Sequence, residues 1–354
     1  MGSPSIMWRN KYAYLIFLLT GISGCISEID LTHKGSSTLY ISGVISNSSG
    51  ERTLRVRQTQ GLDTLAIPVQ ASAVLIENDK VVGNFNPIEK GFLALPEDIP
   101  ILPGRTYEVE VGLQDGRTFR TLPQTVKRAA GPDSLSFEIS PVNSRNSDGT
   151  TDFAWMVQLF AHITVTEQNK DSIYYRWQVD NSWAFKDWRD TLCYLGETIF
   201  DFEPVIFHPE GLQPGEQKVL VASRELGSNF LISYYYNTYL HRVDSLAYDY
   251  YSKAQTLTKN DGVIYDEIPA PIQGNVYEVS DNKADQPIAG YVEFSLADTT
   301  RLRINRTDFT FQMEDPCERY ECNPELPVCL CEDCGEYFEY VRGVDTEIPP
   351  VYWE

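Results

Sequence analysis

The sequence predicts a mainly β protein: an N-terminal β-sandwich, a second β-rich domain with one inserted amphipathic helix, and a disulfide-rich C-terminal tail. Three observations predict it. Short β-type runs recur through residues 38–130 with turn residues between them and no helical period. Longer β-type runs resume at Ala154, and only one stretch, near 244–257, changes to the 3.6-residue period of a helix.

In the first domain, Leu39-Tyr40-Ile41-Ser42-Gly43-Val44-Ile45 is rich in β formers, and Thr53-Leu54-Arg55-Val56-Arg57 alternates apolar with polar residues. Ala73-Val74-Leu75-Ile76-Glu77 runs through an Asn78-Asp79 turn into Val81-Val82. Thr106-Tyr107-Glu108-Val109-Glu110-Val111 alternates strictly, and Asp115-Gly116 turns it into Arg117-Thr118-Phe119. Strands at this spacing argue for a sandwich. The entry Pro103-Gly104-Arg105-Thr106-Tyr107 resembles that of prealbumin-like and carboxypeptidase-regulatory-like domains.

A connector over 125–150 holds one strand, Ser134–Ile139, and places the domain border near 130. The second domain, 131–310, opens with Ala154–Val165 and continues with Ser172–Val179, where Tyr175, Trp177 and Val179 alternate as core residues. The helix places Leu246, Ala247, Tyr250, Tyr251, Ala254 and Leu257 on one face, with Asp244 or Ser245 as N-cap. Ile288–Ser295 and Thr300–Ile304 return as strands before the tail, 311–354.

The N-terminal stretch reads as a lipoprotein signal. Arg9 and Lys11 precede an apolar run, Tyr12–Leu19, and then Ile22-Ser23-Gly24-Cys25. A thioether to diacylglycerol forms only on sulfur, and small residues at 23 and 24 give a peptidase access to the backbone. The run is far shorter than the roughly 20 apolar residues of a spanning helix, so residues 1–24 are expected to be removed. Cys25 is then the lipidation site, followed by a tether, 25–37. More than one acyl chain, at roughly 0.8 kcal/mol per buried CH₂, makes such attachment stable.

Of 354 residues, removing 24 leaves 330, a length that suits about two domains. Hydrophobic content of 42% supports packed cores rather than disorder. The formal charge is −21, and the leader carries two cations and no acid, so the mature chain is near −23. That acidity argues against nucleic-acid binding through phosphate neutralisation and against charge-driven contact with anionic lipid.

With Cys25 lipidated, Cys193, Cys317, Cys322, Cys329, Cys331 and Cys334 form an even set, expected to be disulfide-bonded in an exported protein. Six cysteines allow 15 pairings. Cys329 and Cys331 sit too close to pair comfortably, so the remote Cys193 is expected to be tied to the tail. Closing so long a loop contributes roughly 4 kcal/mol on the chain-entropy view. Zinc is the competing reading, but the tail holds a single Cys-x₂-Cys pair.

No nucleophile elbow, phosphate loop or His-Glu-x-x-His is present. The four histidines stand singly, and His162 reads as a structural residue within a strand. Neither an enzyme nor a cofactor is expected. Possible aromatic contacts for a sugar or a protein are Trp183, Trp188, Tyr234, Tyr235 and Tyr236; the three tyrosines cannot all face one side of a strand.

The order of Tyr174-Tyr175-Arg176-Trp177, Trp183-Ala184-Phe185, Cys193-Tyr194, the aromatic helix, Gly290-Tyr291-Val292 with Phe294, Cys331-Glu332-Asp333-Cys334 and Pro349-Pro350-Val351-Tyr352-Trp353 behind a lipobox resembles one family. It is the Bacteroidetes-type lipoprotein family known as domain of unknown function 4249, and the resemblance covers nearly the whole mature chain. Cys317, Cys322 and Cys329 depart from its pattern. The resemblance implies an outer-membrane, lipid-anchored, cell-surface-facing protein beside a TonB-dependent transporter, and it carries no catalytic residues. Acids after Cys25 (Glu28, Asp30) resemble the surface-export signal of such lipoproteins. The function expected is a non-enzymatic accessory subunit that assists substrate capture or gating. The alternatives are a free-standing glycan- or peptide-binding lipoprotein and, third, a hydrolase.

Overall fold

The computed structural model describes residues 37–48, 51–59, 66–128, 131–145, 151–186, 191–198, 205–258, 272–279, 288–309 and 349–353. The chain is mainly β, with 21 strands and one α-helix among the described residues. Cys25, Trp188 and Cys317, Cys322, Cys329, Cys331 and Cys334 lie outside them.

The first 128 residues supply β1 (Leu39–Ile45), β2 (Arg52–Gln58), β3 (Ile67–Pro68), β4 (Ala71–Glu77), β5 (Lys80–Asn84), β6 (Asn86–Glu89), β7 (Phe92–Ala94), β8 (Thr106–Leu113), β9 (Thr118–Thr121) and β10 (Gln124–Thr125). Between β4 and β5, Asn78 and Asp79 have φ of 47° and 65°. Left-handed geometry at both central residues matches the right-handed twist of a hairpin, and Asn and Asp tolerate it.

Next come β11 (Ser134–Arg145), β12 (Thr151–Val165), β13 (Tyr175–Lys186), β14 (Leu192–Thr198), β15 (Val205–Phe207), β16 (Gly215–Glu225), β17 (Ser233–Arg242) and α1 (Ser245–Thr258). The last strands are β18 (Val276–Glu278), β19 (Ile288–Ala289), β20 (Val292–Phe294) and β21 (Ala297–Asn305).

These strands make four sheets. The first runs β19-β1-β2-β7-β6, with β20 also on β1 and β3 on β2; the second runs β18-β9-β8-β4-β5, with β10 on β8. Leu39, Ile41, Leu54 and Val56 of the first share one core with Leu75, Tyr107, Val109 and Phe119 of the second. The third sheet is β11-β12-β16 and the fourth β14-β13-β17-β21, with β15 on β13. Val157, Leu159 and Ala161 of the third share a core with Trp177, Tyr234, Tyr236 and Leu240 of the fourth.

Chain order and sheet membership diverge in one place. β18, β19 and β20 come from the stretch 131–310, yet they are hydrogen-bonded into the first two sheets. β19 and β20 run parallel to β1, with Leu39 opposite Ile288 and Gly43 opposite Val292. Val292 and Phe294 belong to the first core. The bend between them is Gly290, at φ +98°, where an added Cβ would lie 2.4 Å from the Ile41 carbonyl oxygen. Only glycine fits there.

The helix α1 packs Ala247, Tyr250 and Tyr251 around Tyr291. Its start is capped by Asp244, whose Oδ1 accepts the Ala247 N–H at 2.7 Å. Leu246, expected on the packed face, is 41% exposed instead. The helix is held through its tyrosines, Tyr250 and Tyr251 on Tyr291 and Tyr248 on Tyr174 and His208, which leaves Leu246 at the surface. No helix among the described residues is long and apolar enough to cross a membrane.

Candidate functional site

The fourth sheet positions most of the polar side chains of interest. Strand alternation sends Tyr175, Trp177, Val179 and Trp183 of β13 inward and Arg176, Gln178, Asp180 and Ser182 outward. Directly paired residues share a face, so Tyr235, Asn237, Tyr239 and His241 of β17 point outward beside them. Arg301 and Arg303 of β21 extend the same row. At its centre, burial and the neighbouring Asp180 push the Tyr239 hydroxyl up to about 12.

One end of this row is closed by the first sheet. Arg176 donates from Nε to Glu293 Oε2 at 2.8 Å and from Nη2 to Oε1 at 3.0 Å. Tyr251 of α1 donates its hydroxyl to Glu293 Oε2 at 2.8 Å, and Ser295 donates to Oε1. His241 Nδ1 lies 2.9 Å from Ser295 Oγ, and its Nε2 lies 3.2 Å from Glu51 Oε2. Ser46 donates its hydroxyl to that same Glu51 oxygen at 2.9 Å.

Burial alone would raise the Glu293 carboxyl, but the charges of Arg176 and His241 and the hydrogen bonds from Arg176 and Ser295 outweigh it and hold it down to about 2. Burial works against the Arg176 cation too, and Glu293 more than reverses this. The hydroxyl of Tyr251 is held well above its ordinary range by burial and by Glu293.

Ser295, His241 and Glu51 have the residue types of a hydrolytic relay. Ser295 and His241 are both 0% exposed, and the serine hydroxyl already donates to Glu293. A substrate carbonyl has no access to that oxygen. The group acts as a clamp between the first and fourth sheets, in which Arg176, Tyr251 and Ser295 all donate to the buried Glu293 carboxylate.

The other end of the row is covered by the C terminus. Pro349–Trp353 returns to the sheet, turned by a Trp353 N–H to Pro350 carbonyl bond of 2.8 Å. The Tyr352 hydroxyl meets Ser182 Oγ at 3.0 Å and accepts from Asn237 Nδ2 at 3.2 Å. The Arg301 guanidinium sits 4.4 Å from the Tyr352 ring centroid. The Trp353 ring packs against Tyr194 at 5.0 Å and Tyr235 at 4.7 Å.

The aromatic contacts expected from the sequence are thereby sorted. Tyr234 and Tyr236 are 0% exposed and belong to the second core, where Tyr236 donates to the Val157 carbonyl. They are packing residues and not contacts, because β17 turns both toward the third sheet. Trp183 likewise faces that core and stacks on Tyr234. Tyr235 points outward but lies beneath Tyr352 and Trp353. Cys193 is buried on β14 and disulfide-bonded. His162 meets Ser136 Oγ at 2.7 Å and Glu216 Oε1 at 2.5 Å. Among the described residues no group of His, Cys, Asp and Glu is arranged to hold a metal.

Arg176, Glu293, His241 and Asn237 were not singled out by the sequence. The signal that exposes the first three is a charged or imidazole side chain within an aromatic or apolar strand, as in Tyr175-Arg176-Trp177 and Val292-Glu293-Phe294. Such residues are almost never fully buried unless paired.

No curated protein matches the chain. The sequence model of the family described as Domain of unknown function (DUF4249) matches residues 26–301, which span β1 to the middle of β21 and leave the tail cysteines and Pro349–Trp353 beyond the match. With more than half of its length matched, the chain belongs to the DUF4249 family.

Proposed function

We propose that the protein is held on the outer membrane by lipid at Cys25, faces the cell surface, and serves a TonB-dependent transporter as a non-enzymatic accessory subunit in substrate capture or gating. The observation that carries this reading is the leader, Arg9 to Cys25, with its short apolar run and small residues before the cysteine. The clamp supports it: buried charges that resemble catalytic groups are used to join two sheet pairs into one scaffold. Disulfides between Cys193 and the tail cysteines belong to the same reading, because an exported chain sits in an oxidising compartment.

The test is gentle detergent extraction of native outer membranes, followed by capture of the tagged protein and mass spectrometry. A stoichiometric TonB-dependent transporter supports the accessory role. Recovery of the chain alone under the mildest conditions overturns it. Labelling with a radioactive fatty acid, lost on Cys25→Ser, tests the anchor separately.

A second reading, a free-standing glycan- or peptide-binding lipoprotein, is favoured by the polar and aromatic residues on the outward face of the fourth sheet. It requires ligand affinity in the purified chain without a transporter.

A further inference from the structure

We infer that the outer end of the fourth sheet is a receptor for a peptide with adjacent Tyr and Trp side chains, filled here by the chain's own C terminus and open to the C terminus of a second copy in exchange. The inference stands independently of the transporter reading.

The seat has two parts with different chemistry. A phenol hydroxyl is held between Ser182 Oγ and Asn237 Nδ2, with the Arg301 cation over its ring. An indole is held between Tyr194 and Tyr235. Together they specify two consecutive aromatic side chains, one with a terminal hydroxyl. Asn237 is 3% exposed and its Oδ1 has no hydrogen-bond partner among the described residues. A buried acceptor without a donor is costly to retain, and here it belongs to the same amide that holds the bound phenol.

The occupant is lightly held. It is a short segment, Pro349–Trp353, and Val351 at its middle is fully exposed. In sequence it follows Phe309 by 39 residues, 310–348. With Cys193 bonded to the tail, as proposed above, the 14 residues between Cys334 and Pro349 still span up to about 50 Å when extended, enough chain to offer the occupant to a neighbouring molecule. Two copies confined to one membrane surface would meet at high effective concentration.

The probe is a fluorescent peptide with the sequence of residues 347–354. The full-length chain bearing Tyr352→Ala and Trp353→Ala should bind it at least ten-fold more tightly than the unmodified chain does, and a peptide with the same two alanines should not bind. No binding to the folded double variant overturns the inference. Should that variant fail to fold, the unmodified chain decides: excess peptide must speed amide exchange in its own residues 351–353, and unchanged exchange overturns the inference. The exchange between copies is read by sedimentation. The Tyr352→Ala/Trp353→Ala chain mixed with an Asn237→Ala/Arg301→Ala chain should form a one-to-one complex that neither forms alone. Absence of that complex removes the second copy as an occupant.

Discussion

Arg176 and Glu293, 117 residues apart in sequence, meet in a two-point bond of 2.8 and 3.0 Å that joins the fourth sheet to the first. Both are buried, so removing one leaves the other charged and without its two-point partner. Arg176→Ala or Glu293→Ala should destabilise the protein by about 3–5 kcal/mol. Arg176→Met with Glu293→Met should cost less than the sum of the single changes. Urea denaturation of the four proteins checks both statements.

Acidification should loosen the same contact. The Glu293 carboxyl has an ordinary value of 4.5 and a folded value of about 2. A depressed carboxyl contributes stability that is present above 4.5 and lost as the pH falls toward 2. Glu51 is shifted the same way, with burial opposing and His241 and Arg176 prevailing. Thermal midpoints should therefore fall between pH 4.5 and 2. The fall should be shallower in Glu293→Gln, which has no carboxyl to protonate at that position.

Gly290→Ala should be more damaging than its size suggests. Its φ of +98° and the 2.4 Å approach of the Ile41 oxygen oppose any side chain. The backbone strain costs about 1–3 kcal/mol, and relief of the clash pulls β19 and β20 from β1. Faster amide exchange at Gly43, whose N–H bonds the Tyr291 carbonyl at 3.0 Å, locates the effect.

Asp244 holds the start of α1 and the Tyr291 hydroxyl through one oxygen, at 2.7 and 3.2 Å. Asp244→Ala should cost about 1 kcal/mol through the cap alone. Asp244→Asn keeps an acceptor in place and should lie within a few tenths of the unmodified protein. Circular dichroism on heating separates the two.

What was legible in the sequence was local. The Asn78-Asp79 hairpin, the alternation of β8 and β13 and the Asp244 cap each rest on residues close in the chain. The strand β17 escaped for a physical reason. Tyrosine suits either face of a sheet, its ring apolar and its hydroxyl polar, so Tyr234-Tyr235-Tyr236 hides the period of two that places 234 and 236 inside and 235 outside. The parallel pairing of β1 with β19 and β20 leaves no local pattern, because its two sides are separated by about 250 residues. The clamp was invisible for the same reason: Glu51, Arg176, His241 and Glu293 become neighbours only once both sheets exist.

The loan of β18, β19 and β20 to the first two sheets also sets a timetable for biogenesis. A chain emerging from the N terminus can pair β1 with β2 early. The opposite side of β1 then stays bare until residues 288–294 arrive, and β21 completes the fourth sheet within a dozen residues of that moment. Neither half can finish as an autonomous unit and wait for the other. Long-range pairing of this kind slows folding and leaves an open strand edge to be guarded meanwhile. The bare edge of β1 is covered only when the last strands of both halves are delivered together.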